Sequence, residues 1–505
     1  YWTNHNNITV TAWWPYTAGE TTPPAVKVAA DQSARKNFEG SDLIVAEKQT
    51  VSYGNPTLRF THRTARVTVV LTDYTEEQIF VRLTGLSTEN GNPAVIAPYD
   101  KGGDTYTALV APQTVAAGTA FITCKFTNGK VFVYKMQSDA EWKAGEEYTY
   151  TVSLAAAEDP GYTVSEDGKT YTVYTDEGLR NVAKLVNEEW KLDINITLTG
   201  DINLTGIDWT PIGKGYNHQY TGTFDGGNYT ITGLAVTGSD QYAGLFGHIG
   251  SGGTVKNVTL KDVKIESNHS SGNVGGVAGW SYGNIEYCSV SGSVSSNSTA
   301  GGVVGYQSDG AITGCNSSAT VKGMVRAGGV AGATNSGASL TGCYATGSVS
   351  VENNTTSAAY AGGVVGSNGE SSTLTACYAT GSVTGSGSGT IYTGGVTGSN
   401  DLGTLTACYH AKWTVSGPGG ATGGVAGRNF KDFMFGGGII TACYWGSNPY
   451  TGIGYNEGGS TTIETTKVTD GDWLDAVEQM NAALQSAGSE WLYELTGALP
   501  TLKKQ

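Results

Sequence analysis

The five residues 275–279 read Gly-Gly-Val-Ala-Gly, and this phrase decides how the chain folds. Six further copies, with small changes, occupy residues 243–247, 301–305, 328–332, 362–366, 394–398 and 423–427. The last glycines of successive copies lie 32, 26, 27, 34, 32 and 29 residues apart. A period of about 30 residues is typical of a solenoid, in which each repeat forms one turn of a long coil.

The phrase suits stacked parallel strands, which lie about 4.8 Å apart. Glycine permits positive φ and a close approach of neighbouring backbones, so a turn can recur at the same place in every rung. The middle residue of each copy is leucine or valine, which we expect to point inward and stack on its copies. Seven copies therefore predict a parallel β-helix of about seven rungs, coiled in the right-handed sense, with the repeats at 243–445.

Six of the seven cysteines recur at one phase of the repeat, and Val258 takes that phase in the first copy. An odd count and spacings near 30 residues fit neither a disulfide framework nor a zinc site. We therefore predict a structural ladder of buried thiols. Its members are Cys288, Cys315, Cys343, Cys377, Cys408 and Cys443.

The residue after each inward cysteine should point outward, because side chains alternate along a strand. It is tyrosine in four consecutive copies: Tyr344, Tyr378, Tyr409 and Tyr444. Tyrosine offers a flat apolar face and a hydroxyl, so one interpretation is an exposed ladder that binds a glycan or a protein. The alternative is that the rings protect a sheet or are covered by a flanking segment. At another phase, Asn368, Asn400 and Asn429 predict an internal ladder of amide hydrogen bonds.

The composition and net charge limit the kinds of partner that the chain can bind. Glycine accounts for 74 of 505 residues and proline for only 12, which favours a periodic array over disorder. A net charge of −15 disfavours binding to nucleic acid. No apolar run reaches the length of a membrane span, so we predict no transmembrane segment.

The remaining chain suggests three flanking regions. Residues 1–156 contain short strands rich in β-branched and aromatic residues, with turns such as Asn128-Gly129, which together predict an antiparallel β-sandwich. Residues 157–242, after a break at 158–161, hold a helix at 176–187 and the start of the solenoid. Residues 446–505 form a C-terminal cap, in which an amphipathic helix at 472–484, with Asp470 as a candidate N-cap, should plug the last rung.

Several stretches of the first region carry a resemblance to a known family. Residues 9–16 read Thr-Val-Thr-Ala-Trp-Trp-Pro-Tyr, and residues 58–67 read Leu-Arg-Phe-Thr-His-Arg-Thr-Ala-Arg-Val. With residues 111–115 and 144–150, they resemble the fimbrillin-like surface proteins of Gram-negative anaerobes. The resemblance implies a transthyretin-like β-sandwich, export, and attachment at the cell surface or outer membrane. It also implies a lipoprotein-type precursor with its anchoring cysteine upstream of residue 1.

A second resemblance covers the repeats. Residues 201–204 (Asp-Ile-Asn-Leu), 209–213 (Trp-Thr-Pro-Ile-Gly) and 222–227 (Gly-Thr-Phe-Asp-Gly-Gly) lead into the first glycine phrase. Together with the phrases they resemble the GLUG repeats of bacterial adhesins and surface proteases. The resemblance implies a cell-surface architecture, since the motif itself carries no chemistry.

These observations predict a secreted adhesin, or a pilus tip or accessory subunit, whose sandwich serves attachment and whose β-helix binds a surface glycan or protein. One alternative is a self-assembling pilus or matrix subunit that binds other pilus subunits. A second is a polysaccharide-degrading β-helix enzyme, which needs clustered carboxylates. In the repeats only Glu370 and Asp401 fall near the same turn of adjacent rungs. We therefore predict no catalytic residue, metal or cofactor, and we interpret His62 as a structural hydrogen-bonding histidine.

Overall fold

The structure is a computed structural model of the chain. It describes residues 4–16, 18–74, 79–126, 131–154, 160–165, 167–411, 414–417, 421–432, 436–449, 451–458, 462–469 and 471–505. The chain divides into two compact units, Tyr1–Thr163 and Val164–Gln505. The predicted turn at Asn128-Gly129, residues 158 and 159 of the predicted break, and the candidate N-cap Asp470 lie outside the described residues.

The first unit is the predicted β-sandwich. Its strands are Ile8–Trp14, Ile44–Val51, Thr61–His62, Ala65–Thr72, Ile79–Leu83, Tyr99–Gly102, Thr105–Val110, Gln113–Val115, Ala120–Phe126, Val131–Lys135, Ala140–Trp142 and Glu147–Ser153, with a short helix at Arg35–Gly40 and a 3₁₀ turn at Thr88–Asn90. Alternate residues of Ala65–Thr72 join Phe121 and Trp142 in one buried core. The prediction of a wholly antiparallel unit is wrong, because Glu147–Ser153 pairs in parallel with Ala65–Thr72. His62 lies 2.9 Å from the Asp42 carboxylate, as expected of a structural histidine.

The second unit contains a β-solenoid of about ten turns. Row A, the first strand of each turn, comprises Asn195–Leu198, Thr223–Asp225, Thr254–Lys256, Asn284–Glu286, Ala311–Thr313, Ser339–Thr341, Thr373–Thr375, Thr404–Thr406, Ile439–Trp445 and Ile463–Lys467. Row B follows the cysteines and comprises Ile202–Asn203, Thr230–Thr232, Ala235–Gly238, Thr259–Ser267, Ser289–Ser296, Asn316–Ser317, Thr320–Gly323, Tyr344–Ala345, Val349–Glu352, Tyr378–Ala379, Val383–Ser386, Tyr409–His410 and Val415–Ser416.

Two further rows complete each turn around the glycine phrase. Row C comprises Tyr242–Ala243, Asn273–Gly275, Thr299–Gly301, Arg326–Gly328, Ala359–Gly362, Ile391–Gly394 and Thr422–Gly423. Row D comprises Phe246–Ile249, Ala278–Ser281, Val304–Gln307, Ala331–Thr334, Val365–Asn368, Thr397–Asp401, Ala426–Asp432 and Ile453–Asn456. Within each row, neighbouring turns pair in parallel and in register. The predicted number of about seven rungs is therefore too low. Only the turns that carry the glycine phrase were counted, whereas row A continues beyond them at both ends. The right-handed sense stays a prediction.

Steric crowding explains the glycines of the phrase. A Cβ added at Gly279 would lie 2.7 Å from the backbone nitrogen of Ala243, and one at Gly395 would lie 2.6 Å from the Cβ of His410. All the phrases lie in the described part of the chain, and none of their glycines has positive φ. The expectation of positive φ at these positions is wrong. The phrase needs glycine because the backbones and the inward side chains of stacked turns touch it.

The left-handed conformation occurs instead at the residue before each inward cysteine and, in the first copy, before Val258. This residue turns the chain from row A into row B, with φ between 48° and 65°. The residues are Asn257, Tyr287, Gly314, Gly342, Ala376, Ala407 and Ala442. Glycine and asparagine adopt this conformation readily, whereas alanine and tyrosine do so at a cost.

Two polar ladders lie inside the solenoid. All six repeat cysteines are free and fully buried, and each thiol donates to the carbonyl two residues earlier, at 3.3 to 3.5 Å. Burial raises the pKa of the Cys343 thiol well above its usual range. The predicted asparagine ladder is confirmed: Asn368 donates to Asn400 at 2.9 Å, and Asn400 donates to Asn429 at 3.0 Å.

The remaining elements flank the coil. They are the strands Tyr162–Val164, Thr170–Val173, Gly436–Gly437, Trp491–Glu494 and Thr501–Lys504, the 3₁₀ turn Tyr216–His218, and the helices Asp176–Glu188 and Leu474–Ser486. The first helix matches its predicted bounds within one residue, and the Thr175 hydroxyl caps it by accepting from the Gly178 N–H at 3.0 Å. Among the described residues, neither long helix has the length and apolar character needed to cross a membrane.

Candidate ligand-binding faces of the solenoid

Three tyrosines of row B stack in register, as the repeat predicts, and Tyr444 of Ile439–Trp445 continues the register. The Tyr344 and Tyr378 rings lie 4.9 Å apart with a 3° angle between their planes, and Tyr378 and Tyr409 repeat this geometry at 4.9 Å and 5°. Tyr409 also pairs in register with Tyr444. We call Tyr344, Tyr378, Tyr409 and Tyr444 the tyrosine ladder.

The C-terminal segment, residues 471–505, covers this ladder. The exposed fraction is 8% for Tyr378, 0% for Tyr409 and 9% for Tyr444, and Tyr344 is half-buried. Trp473 lies 4.9 Å and Tyr493 5.5 Å from the Tyr409 ring, measured between ring centroids. The prediction of an exposed ladder is therefore wrong. Strand alternation determines which side of a sheet a residue occupies, but it does not reveal whether a distant segment packs there.

The same contacts correct the predicted role of the C-terminal helix. Met480, Val477 and Leu484 of Leu474–Ser486 are buried in one cluster with the ladder, so the helix lies along the side of the turns. The rest of the segment runs back towards earlier turns, where the Lys504 amine donates to the Tyr287 hydroxyl at 2.9 Å. The side chains of the inserted residues Phe433, Met434 and Phe435 lie outside the described residues.

Small residues in the row A to row B turn make room for this cover. The Trp491 ring lies directly over Gly342, where an added Cβ would come within 2.7 Å of Cζ2. Ala376 and Ala407 occupy the same position in later turns and are buried in the same cluster. The Tyr493 hydroxyl donates to the Ala407 carbonyl at 3.0 Å. The segment is thus held by both shape and hydrogen bonds.

A second series of large side chains lies on rows C and D, at the positions that flank the glycine phrase. On row D, His248, Trp280 and Tyr306 pair in register from turn to turn. On row C, Arg326, Tyr360 and Tyr392 do the same. We call this surface the aromatic stripe, and it comprises Tyr242, His248, Trp280, Tyr282, Tyr306, Arg326, Tyr360, Tyr392, Arg428 and Tyr455.

One end of the aromatic stripe is a cluster of rings. Trp280 and Tyr306 stack at 4.2 Å with a 10° angle, and His248 lies 6.2 Å from Trp280 and 5.6 Å from Tyr282. His248 is only 1% exposed, and burial lowers its pKa to about 4, so the ring is neutral at pH 7. Neither His248 nitrogen, nor Trp280 Nε1, has a hydrogen-bond partner among the described residues.

The other end combines tyrosines with arginines. Tyr360 and Tyr392 stack at 5.7 Å with a 12° angle, and the Arg428 guanidinium lies 5.5 Å from the Tyr392 centroid. Arg428 is neutralised by Glu457, at 2.8 Å, and by Asp401, at 4.0 Å.

Arg326 is half-buried next to Tyr360 in register. In contrast to Arg428, it has no ion pair with any residue that the structure describes. The aromatic stripe thus carries one neutralised and one unneutralised guanidinium.

The aromatic stripe is not among the sites predicted above, although the sequence contains a signal for it. The residue two places before the first glycine of a phrase and the residue just after the last glycine recur as Tyr, Trp, His or Arg. The sets are Tyr242, Arg326, Tyr360 and Tyr392 before the phrase, and His248, Trp280, Tyr306 and Arg428 after it. They interrupt a background of Ser, Thr, Asn and Ala, so a search for invariant positions passes over them.

The acidic side chains show no catalytic grouping in the described part of the chain. Asp401 accepts hydrogen bonds from the Ser367 hydroxyl at 3.0 Å and the Ser399 hydroxyl at 2.6 Å, and Glu370 is exposed. Nor do the described residues contain a group of three or more His, Cys, Asp or Glu side chains suited to a metal ion.

Comparison with known families agrees with both resemblances. Residues 1–173 match the fimbrillin-like family, and residues 270–295 and 296–322 each match the GLUG motif. The chain therefore joins a fimbrillin-like first part to a solenoid that contains GLUG motifs.

Similar proteins match only parts of the chain. Halomucin of Haloquadratum walsbyi is 30% identical over 258 residues, which is 45% of this chain and 3% of halomucin. A protein of Evansella cellulosilytica, named as a Gly-rich membrane protein, is 34% identical to this chain over 123 residues. The match covers 24% of this chain and 14% of that protein. This chain thus spans a small fraction of both relatives.

Among solved structures, a candidate immunoglobulin A1 protease from Bacteroides ovatus is 18% identical. The match covers 68% of this chain and 95% of that one, with a TM-score of 0.42. A fimbrial protein from Bacteroides ovatus is also 18% identical, over 32% of this chain and 39% of that one, with a TM-score of 0.20. These TM-scores are too low to establish a shared overall fold.

Proposed function

We propose that the protein is a cell-surface adhesin or a fimbrial accessory subunit that binds an extracellular glycan or protein through the aromatic stripe. The fimbrillin-like match of residues 1–173 supports a role in attachment or pilus assembly for the first unit. The observation that carries the binding role is the register of half-buried rings on rows C and D, Trp280 with Tyr306 and Tyr360 with Tyr392. The C-terminal segment packs on the tyrosine ladder, and no residue of the aromatic stripe belongs to the buried cluster described there.

The chemistry of the aromatic stripe suits a glycan. Flat rings provide apolar contact for the C–H faces of sugars, while the tyrosine hydroxyl groups provide hydrogen bonds. Elsewhere the repeats present mainly Ser, Thr, Asn and Gly, so the rings are the distinctive feature of this face. Repetition at about 4.8 Å per turn lets one extended ligand contact several turns, and linked weak contacts of this kind raise avidity.

A paired set of variants tests this proposal. Trp280→Ala/Tyr306→Ala removes the stacked pair at one end of the aromatic stripe, and we expect loss of most binding on an array of extracellular glycans and matrix proteins. Tyr344→Phe/Tyr378→Phe on the tyrosine ladder is the control, because it removes two hydroxyls from a covered surface. Circular dichroism checks that both variants fold. If both variants lose binding equally, or if neither loses binding, a binding role for the aromatic stripe is contradicted.

We propose further that the solenoid binds its ligand without catalysing a reaction. Asp401 is engaged by two serine hydroxyls and lies near Arg428, which suits a structural carboxylate. A polysaccharide-degrading enzyme would release reducing ends from a glycan that it binds, and would lose this activity in a Glu370→Gln/Asp401→Asn variant. Such a result would show that the solenoid is an enzyme and would contradict the proposed adhesive role.

A further inference from the structure

The aromatic stripe contains one arginine, Arg326, that forms no ion pair with the residues that the structure describes. Arg326 lies on row C, two residues before the glycine phrase 328–332, and its register neighbours are Thr299 and Tyr360. Tyr306 flanks the preceding phrase on row D, one turn earlier, in register with Ala333. Arg326 therefore lies midway along the stripe, after the Trp280–Tyr306 stack and before the Tyr360–Tyr392 stack.

The charges around Arg326 differ from those around three other cations of the solenoid. Arg428 pairs with Glu457, and Lys256 and Lys322 each have a carboxylate within 3.5 Å. The Arg326 guanidinium has no such partner among the residues that the structure describes. It is also near enough to the Tyr360 hydroxyl to favour the phenolate, which acts against the rise in the pKa of Tyr360 that burial causes.

We propose that Arg326 makes the aromatic stripe selective for glycans whose sugar rings carry a carboxylate. This inference rests on the proposed function and names its ligand class. A guanidinium binds a carboxylate through two parallel N–H···O bonds, which gives both energy and orientation. The rings on either side would receive the faces of the flanking sugars, and the carboxylate would supply the partner that Arg326 lacks within the chain.

Charge complementarity singles out an acidic ligand. With a net charge of −15, the protein as a whole repels polyanions, so attraction must come from a local cation. A neutral glycan would gain less from Arg326, because hydrogen bonds to its hydroxyl groups are weaker than those to a carboxylate.

The test uses polygalacturonate and its fully methyl-esterified form, which share one sugar backbone and differ in charge. For the full chain we expect tighter binding to the acidic polymer by calorimetry. Arg326→Gln should weaken that binding about tenfold or more, because a charged hydrogen bond is lost, while binding to the ester should change much less. Lys261→Gln is the matched control, since Lys261 is an exposed cation on row B of the same solenoid.

The outcomes separate this inference from the proposed function. If the protein binds both polymers equally and Arg326→Gln has no effect, the selectivity is overturned and the stripe remains a glycan-binding face. If neither polymer binds, and Trp280→Ala/Tyr306→Ala leaves array binding intact, both proposals fail. An equal loss from Arg326→Gln and Lys261→Gln would indicate general electrostatic attraction and would also overturn the assignment to Arg326.

Discussion

Single positions in this solenoid are constrained by the turns stacked above and below them. His248 and His410 illustrate this constraint, because each is an ionisable side chain enclosed by neighbouring turns. His410 is fully buried and its Nε2 lies 2.9 Å from the Gly381 carbonyl, which identifies Nε2 as the protonated nitrogen of a neutral ring. Burial lowers the pKa of each histidine to about 4. Such a group links folding to pH.

We predict that the second unit loses stability as the pH falls from about 6.5 to 4. An unfolded histidine titrates near its ordinary pKa of about 6.5, so in this window the unfolded state binds more protons than the folded state. Above about pH 6.5 both states hold a neutral histidine, and the free energy of unfolding is unaffected. By pH 4 each of His248 and His410 should lower the free energy of unfolding by roughly 3 kcal/mol.

Urea unfolding at pH 7 and pH 4.5 measures this effect. His248→Phe keeps an aromatic ring in the cluster and removes the ionisable group, so the variant should lose about 2 kcal/mol less than the parent on acidification. His5→Gln, at an exposed histidine of the first unit, is the control and should match the parent. Identical acid losses for His248→Phe and the parent would show that this histidine does not contribute.

A second prediction concerns the turn residue Gly342. Gly342→Ala adds a Cβ against the Trp491 ring, whereas Gly337→Ala, also at positive φ, adds one where no atom lies within 4 Å. Both changes carry a left-handed strain of about 1–2 kcal/mol. The clash should cost Gly342→Ala a further 1–3 kcal/mol or so. Thermal unfolding checks the difference, and equal destabilisation would show that Trp491 does not pack on this glycine.

Among the elements, the C-terminal segment has the largest effect on which surfaces are available. Its helix, Leu474–Ser486, is amphipathic, and the sequence alone indicates that one side is buried. The tertiary structure shows that the partner is the tyrosine ladder. An element that packs along the side of a solenoid protects a flat aromatic surface, which would otherwise favour association with other chains.

We predict that weakening the helix contact releases the C-terminal segment while the solenoid stays folded. Met480 is fully buried against the ladder cluster, so Met480→Ala should destabilise that contact by about 2–5 kcal/mol. Limited proteolysis should then remove the C-terminal segment much faster than in the parent. Leu474→Ala changes a residue of the same helix that is 54% exposed and should leave the cleavage rate unchanged. Faster cleavage in both variants would point to a general loss of helix stability.

At the scale of the whole molecule, the chain consists of two units with different organisation. The first relies on pairing between strands distant in sequence, such as Ala65–Thr72 with Glu147–Ser153. The second relies on contacts between successive turns, so its stability accrues along the stack. This difference explains why the repeats could be interpreted residue by residue, whereas the first unit was recognised mainly by resemblance and its parallel strand pair was not foreseen.

The sequence by itself determined the stacking of the turns. A period near 30 residues places equivalent positions on top of one another, so inward cysteines, aligned asparagines and stacked tyrosines all follow from alternation and register. The tertiary structure alone decided which faces are covered. The cover over the tyrosine ladder comes from residues 471–505, and its fit depends on the small side chains at Gly342, Ala376 and Ala407. Such a contact has no periodic signal because it joins segments far apart in the chain. Only the tertiary structure therefore decided that the C-terminal segment packs on the tyrosine ladder and not on the aromatic stripe.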